Sequence, residues 1–335
     1  MAKKQTIAWF VPERSWKRFL RPWSSSHWHP DHSLGSVWIR GYQIAPYLRQ
    51  KRYSVLCNKL PPLLDIAIFL RRYGAEDVIL AQRLKKQGIR IVVDVVANYF
   101  SQAPPQQAGH FLRLIDLADQ VWTVSPFLKE AASAHHPDVH FIPDSVNPNH
   151  FYKRNIPNNT TTPKGPPLTI GWAGVSHKAS FLAMLTPVLK PKIEQKKLRL
   201  IVISDSYPQL PFPFEFRRWR YSCFPRDISA CDLCIAPRDL SNDYEKSHSV
   251  FKIGVFMAMG VPVLASAVPS YQLLLGDGRA GSICHSLEEW EDYLSHYMAS
   301  PELRMDWSRQ ACQKMAPFLT PSVAEQIDER LRRFS

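Results

Sequence analysis

Short apolar runs rich in valine and isoleucine alternate with stretches of helical periodicity along most of the chain, and this alternation limits the fold more than any other feature. A strand that is apolar on both faces has to lie in a sheet covered above and below, and the helix after it is the crossover that lets the next strand run parallel. In the first half the pattern predicts strands at residues 6–11, 54–56, 65–70, 89–96, 120–125 and 139–143, with helices at 41–50, 75–87, 107–117 and 126–134. Residues 155–167, Asn-Ile-Pro-Asn-Asn-Thr-Thr-Thr-Pro-Lys-Gly-Pro-Pro, have almost no apolar content and continue neither pattern, so they read as a linker. Beyond them the alternation resumes, with strands at 168–172, 198–204, 216–221, 233–236 and 262–265 and helices at 180–189, 249–259, 287–298, 301–315 and 321–334. Two similar α/β halves follow, with the cleft between them as the expected ligand site.

Length agrees with two domains, because 335 residues exceed what one ordinary core organises. With 45% hydrophobic and 21% charged residues the chain buries enough apolar surface to fold. No run approaches the roughly 18 apolar residues of a spanning helix, and the N-terminus lacks the pattern of a signal peptide. The six scattered cysteines form no disulfide framework, which points to a reducing cytoplasm. The net charge of +13 is uneven: residues 1–155 carry 21 basic and 11 acidic side chains, a net of +10, against +3 for the remainder. A positive field on the first half favours an anionic membrane, a polyanionic glycan or a nucleic acid.

Two motifs carry chemistry. In the stretch from Ser247 to Ser266 a helix is expected to start at Ser249 as its cap, end at Gly260, and pass at once into an apolar strand. Lys252 falls in the first turn, where a cation opposes the helix dipole; it is either a solvated lysine or a ligand for an anion, since free amides there already favour phosphate. The second motif, from Leu168 to Ala179, is a strand running into a turn with Gly171, Gly174 and Lys178. The glycines would let backbone approach a ligand and Lys178 would reach a diphosphate, although a tight structural turn accounts for them equally. The spacing lacks the three glycines of a dinucleotide fingerprint.

Together, Ile170-Gly-Trp-Ala-Gly174, Lys252 with Ala258-Met-Gly-Val-Pro-Val263 and Ser266, and Glu288-Glu-Trp290 resemble the retaining GT-B glycosyltransferases, the group 1 or family 4-like enzymes. Arg40-Gly-Tyr42 is similar to the arginine-containing helix start after the family's first loop, and Val121–Ser125 with Ile142–Asn147 resemble its last two strands of the first domain. The resemblance spans nearly the whole chain. It implies two Rossmann-like domains facing across a cleft: an acceptor-side domain at 1–155, a nucleotide-sugar domain at 156–317, and a final helix within 318–335 packing back on the first. It further implies a cytoplasmic transferase, peripheral at the inner face of the membrane, that moves a sugar from a nucleotide sugar to a glycan or lipid-linked acceptor in envelope polysaccharide assembly.

The chain also departs from the family. The family's two acidic positions fall near Ser247 and Val255, so neither carboxylate stands at its expected place, and many relatives carry lysine where His248 stands; Glu245 or Lys246 would have to substitute from the preceding loop. No Asp-x-Asp occurs to hold a diphosphate-bound magnesium, so no metal or other cofactor is expected, and Lys178, Lys252 and Arg220 are expected to stabilise the leaving diphosphate. His110, on a predicted helix, is a candidate for contact with the transferred sugar, or a helix-face histidine. The His27-Trp-His-Pro-Asp-His32 cluster matches no zinc spacing and reads as part of an acceptor loop, and Cys231 and Cys234 read as a buried strand start. Arg14, Trp16, Lys17, Arg18, Arg21 and Trp23 form an aromatic-cationic segment suited either to an anionic membrane or to packing its aromatics on the domain while its cations face water, with Arg40 on the same acceptor side. A catalytically inactive relative that binds nucleotide sugar or glycan as a partner subunit is one alternative. A basic nucleic-acid binder is another, although no recognition module is present and nucleic acid is not the expected partner.

Overall fold

Each predicted apolar run that becomes a strand does so inside a fully parallel sheet. The structure, a computed structural model, describes residues 4–12, 35–152 and 167–334. It divides into two units: Met1–Ser145 with Ser247–Ser249 and Thr320–Ser335, and Val146–Lys246 with Val250–Leu319.

The first unit is built on β1 (Gln5–Phe10), β2 (Tyr53–Cys57), β3 (Ile66–Leu70), β4 (Arg90–Val95), β5 (Gln120–Thr123) and β6 (Val139–Phe141), in the order β2-β1-β3-β4-β5-β6. Side-chain alternation sends Ala8 and Phe10 to one face, under the helices Ala75–Lys86, Pro105–Leu117 and Pro126–Ser133. Ile7 and Trp9 go to the other, under Ala45–Gln50 and Thr320–Leu331. The last helix buries its stripe of Val323, Ile327 and Leu331 here, which its spacing of four requires. Tyr53 donates to Asp328 at 2.8 Å and ties this helix to the sheet.

The second unit contains β7 (Leu168–Ala173), β8 (Leu198–Ser204), β9 (Glu215–Arg218), β10 (Leu233–Ala236), β11 (Val263–Ser266) and β12 (Gly281–Cys284), in the order β12-β11-β10-β7-β8-β9. The last of these strands escaped the pattern because it is short and begins at Gly281, whose φ of 130° and whose contact with the Val263 carbonyl leave no room for a side chain. All six cysteines are free, and Cys231 and Cys234 are buried at and within β10.

Three predicted elements differ. The expected 41–50 helix is a π-helical turn, Trp38–Tyr42, followed by Ala45–Gln50; the widened turn brings both Arg40 and Gln43 inward. The 180–189 helix is broken into Ser180–Ala183 and Thr186–Glu194, because Pro187 has no N–H to continue one helix and starts another. The 216–221 strand stops at Arg218, and Tyr221–Cys223 turns as a 3-10 helix into Phe224–Ser229, with the Tyr221 carbonyl 2.9 Å from His150 Nε2. Most of the linker and the whole 14–23 segment lie outside the described residues. Among the described residues no helix is long and apolar enough to cross a membrane.

Candidate functional site

In a doubly wound parallel sheet, ligands bind beyond the carboxyl ends of the strands where the strand order reverses. In the second unit that point lies between β7 and β10, and the two loops leaving those strands carry the charged side chains of the site. Lys178 ends the short turn Ser176–Lys178 after β7, and Arg238 stands two residues past β10 with its amide bonded to Ser266 Oγ at 2.8 Å. Glu245 projects from the short helix Asp243–Lys246, and Lys252 from the first turn of Phe251–Ala258.

Glu245 joins two of the cations. Its Oε1 accepts from Lys178 Nζ at 2.7 Å and its Oε2 from Arg238 Nη1, with Arg238 and Glu245 both buried. Among the described residues Lys252 has no carboxylate at hydrogen-bond distance; its ammonium lies 4.4 Å from the Trp172 ring centroid, as Lys178 lies 4.7 Å from that of Tyr244. Burial drives the Lys252 pKa well below the ordinary lysine value, and the Arg238 charge adds to this. Burial also lowers Lys178, with Glu245 opposing and Arg238 reinforcing. Among the described residues these three cations therefore face one carboxylate, with the Tyr271 hydroxyl beside the buried Arg238 guanidinium. Such a group stores repulsion that an anion relieves. Among the described residues no group of three or more histidine, cysteine or carboxylate side chains is placed to hold a metal.

The structure thus gathers Lys178, Lys252 and Glu245 from the sequence-predicted set and adds Arg238 and Trp172. Gly174 belongs with them: a Cβ there would come within 2.8 Å of the Trp172 ring and 3.1 Å of Lys252 Nζ. Gly171 has a different reason. It pairs with Cys234 inside the sheet, where a Cβ would meet Cys231 Sγ at 2.5 Å, so it serves packing and not ligand approach.

Other expected residues lie elsewhere. Arg220 is exposed after the edge strand β9 and lines a groove with Arg217, Arg218 and Arg226, not the Lys178–Lys252 group. Lys246 pairs with Asp243 at 3.1 Å. Ser249 caps no helix; Val250 occupies that position, and Ser249 belongs to the first unit, where its hydroxyl donates to Asp144 Oδ2 at 2.6 Å. Arg40, expected on an acceptor or membrane face, is buried: Nε is 2.7 Å from Asp94 Oδ2, and Nη1 bonds the Ile142 carbonyl at 2.9 Å and Asp144 at 3.2 Å. Burial works against its charge, but the two carboxylates prevail and hold its pKa above the ordinary arginine value, so it braces the ends of β4 and β6. His110 lies half-buried on Pro105–Leu117 in a pocket of the first unit. Arg14, Trp16, Lys17, Arg18, Arg21 and Trp23 lie outside the described residues.

No protein-family model matches the chain, and no curated protein matches it. Solved structures do. The chain is similar to sucrose-phosphate synthase from Thermosynechococcus elongatus, with a TM-score of 0.65 and 13% identity over 98% of this chain and 99% of that one. It is similar to HepE from Anabaena, solved with UDP and glucose, at 0.67 and 12% over 97% and 99%. It is also similar to WaaG, a glycosyltransferase involved in lipopolysaccharide biosynthesis, at 0.56 and 13% over 97% and 99%. At these identities the likeness is one of fold, and the chain has the GT-B class of fold, with two Rossmann-like α/β units in one polypeptide.

Proposed function

We propose that the chain is a glycosyltransferase that moves a sugar from a nucleoside-diphosphate sugar to a glycan or lipid-linked acceptor, with retention at the transferred carbon. The observation that carries this reading is the gathering of Lys178, Arg238 and Lys252 around Glu245 at the β7–β10 switch point. When the bond between the sugar and the diphosphate breaks, negative charge grows on the leaving oxygens, and fixed cations in a partly dry site stabilise that charge. Glu245 is bonded to two of those cations and acts as a positioning residue. Support for the donor class comes from HepE, whose structures hold UDP, glucose and UDP-glucose, and support for an envelope setting comes from WaaG. The 14–23 segment would hold the enzyme at an anionic membrane; sedimentation with phosphatidylglycerol vesicles tests this.

The test is calorimetry with UDP, GDP and ADP, followed by product analysis with the corresponding sugar nucleotides and NMR of the product anomer. Binding that Lys252→Ala weakens, together with sugar release or transfer, supports the proposal. No binding of any nucleoside diphosphate overturns it. A second reading, binding without turnover, is favoured by Ser247 and by the fully buried Val255 at the places of the family carboxylates. Binding with no hydrolysis and no transfer would select it.

A further inference from the structure

The first unit has its own reversal of strand order, between β1 and β3, and that position too is a pocket. A cavity of about 650 Å³ opens there, bounded by Pro12 just past β1 and by the loop after β3, with the start of the Pro105–Leu117 helix on its other side. Its charged lining is two arginines and two carboxylates, paired unevenly. Arg72 is consumed by Asp77 at 2.5 Å and approaches Glu76 at 3.8 Å, and Asp77 also accepts from the Gly74 amide. Arg71 differs: among the described residues it has no carboxylate partner, only the Ser36 hydroxyl at 3.4 Å. It is held at a φ of 57°, a left-handed conformation unfavourable for a non-glycine residue. The opposite side adds Gln106, Gln107 and His110, groups that donate to and accept from hydroxyls.

From this we propose that the pocket beside β1 and β3 binds the second substrate, and that this substrate is a sugar bearing a carboxylate or phosphate substituent held by Arg71. The two glutamines and His110 take its hydroxyls. Its role as the second substrate's pocket rests on the glycosyl-transfer reading; the binding of an anionic sugar does not.

The test is titration calorimetry of the full chain with glucuronate, glucose 6-phosphate, glucose and inorganic phosphate. One or both charged sugars are expected to bind at least about tenfold tighter than glucose, as a charge-assisted hydrogen bond provides. Arg71→Gly, which adopts the observed φ without strain and so folds, should abolish that preference; Arg71→Lys should keep part of it, and Lys252→Ala should leave it intact. Which charged sugar binds separates carboxylate from phosphate. The proposal is overturned if charged and neutral sugars bind alike, if the preference survives Arg71→Gly, if Lys252→Ala removes it, or if inorganic phosphate binds as well as the charged sugars. Should UDP, GDP and ADP all fail to bind while the Arg71-dependent preference stands, the glycosyl-transfer reading falls and the anionic sugar site remains.

Discussion

The Lys252 ammonium sits 4.4 Å from the centre of the Trp172 ring, in space left open because Gly174 has no side chain. Trp172 is fully buried, so its ring is a fixed platform, and Lys252 is held in place without the carboxylate that would neutralise it. Replacing Lys252 or Lys178 by alanine is expected to lower nucleoside-diphosphate affinity or turnover by about a hundredfold, roughly 3 kcal/mol of charge stabilisation, without unfolding the chain. Gly174→Ala should weaken binding in the same direction, because the new Cβ meets the Trp172 ring at 2.8 Å and displaces it. Calorimetry beside a thermal melt checks all three; wild-type affinity in the lysine variants would remove the anion site.

Burial lowers the pKa of both lysines, and a bound diphosphate would raise it again, so the effect is read at a pH between the free and bound values. Binding should therefore take up protons, and affinity should fall as pH rises above the free-site values. Calorimetry in buffers of different ionisation enthalpy measures the uptake directly. Proton release, or none, would contradict the assignment.

Glu245→Ala removes the carboxylate shared by Lys178 and buried Arg238. Losing one partner of a buried pair costs about 3 kcal/mol, so the melting temperature should drop by several degrees. Because the cations then stand uncompensated, UDP or GDP should raise the melting temperature of this variant more than that of the wild type. An equal shift in both would mean the anion does not sit on these cations.

Asp328 is almost fully buried, and burial works against its charge, yet Tyr53, Arg332 and Lys51 together hold its carboxyl below the usual range. A depressed carboxyl contributes stability above its unfolded pKa of about 4 and loses it as pH falls through the folded value. Asp328→Asn should be less stable at neutral pH, and its deficit should shrink on acidification in denaturant titrations. Leu331→Ala, in the same helix and fully buried, should cost about 2–5 kcal/mol at any pH.

An excess of chelator is expected to leave turnover unchanged, since arginine and lysine supply the charge assigned to the leaving group. Loss of activity with EDTA and its return with magnesium would correct this.

Strands were readable in the sequence because parallel strands are apolar throughout, and the Lys178 and Lys252 motifs were readable because one follows a strand into a glycine turn and the other opens a helix that runs straight into a strand. Arg238 was not. It follows β10 by two residues like many surface arginines, and only the sheet order, which puts β10 next to β7, brings its pair with Glu245 to Lys178. Arg40 misled for the opposite reason: an arginine at a helix start reads as a residue of the acceptor face, and the partners that bury it, Asp94 and Asp144, are 54 and 104 residues away. Arg220 was taken for a strand residue near the phosphates, but strand pairing puts β9 at the sheet edge.

Gln43 bonds both Ser145 and Thr320, two residues 175 positions apart, where the last helix joins the first unit. A ribosome finishes the strands of that unit long before it makes the helix that roofs them. Throughout that interval the face of Ile7 and Trp9 has only the Ala45–Gln50 helix over it, and the apolar surface that Val323, Ile327 and Leu331 later cover stays open to other chains.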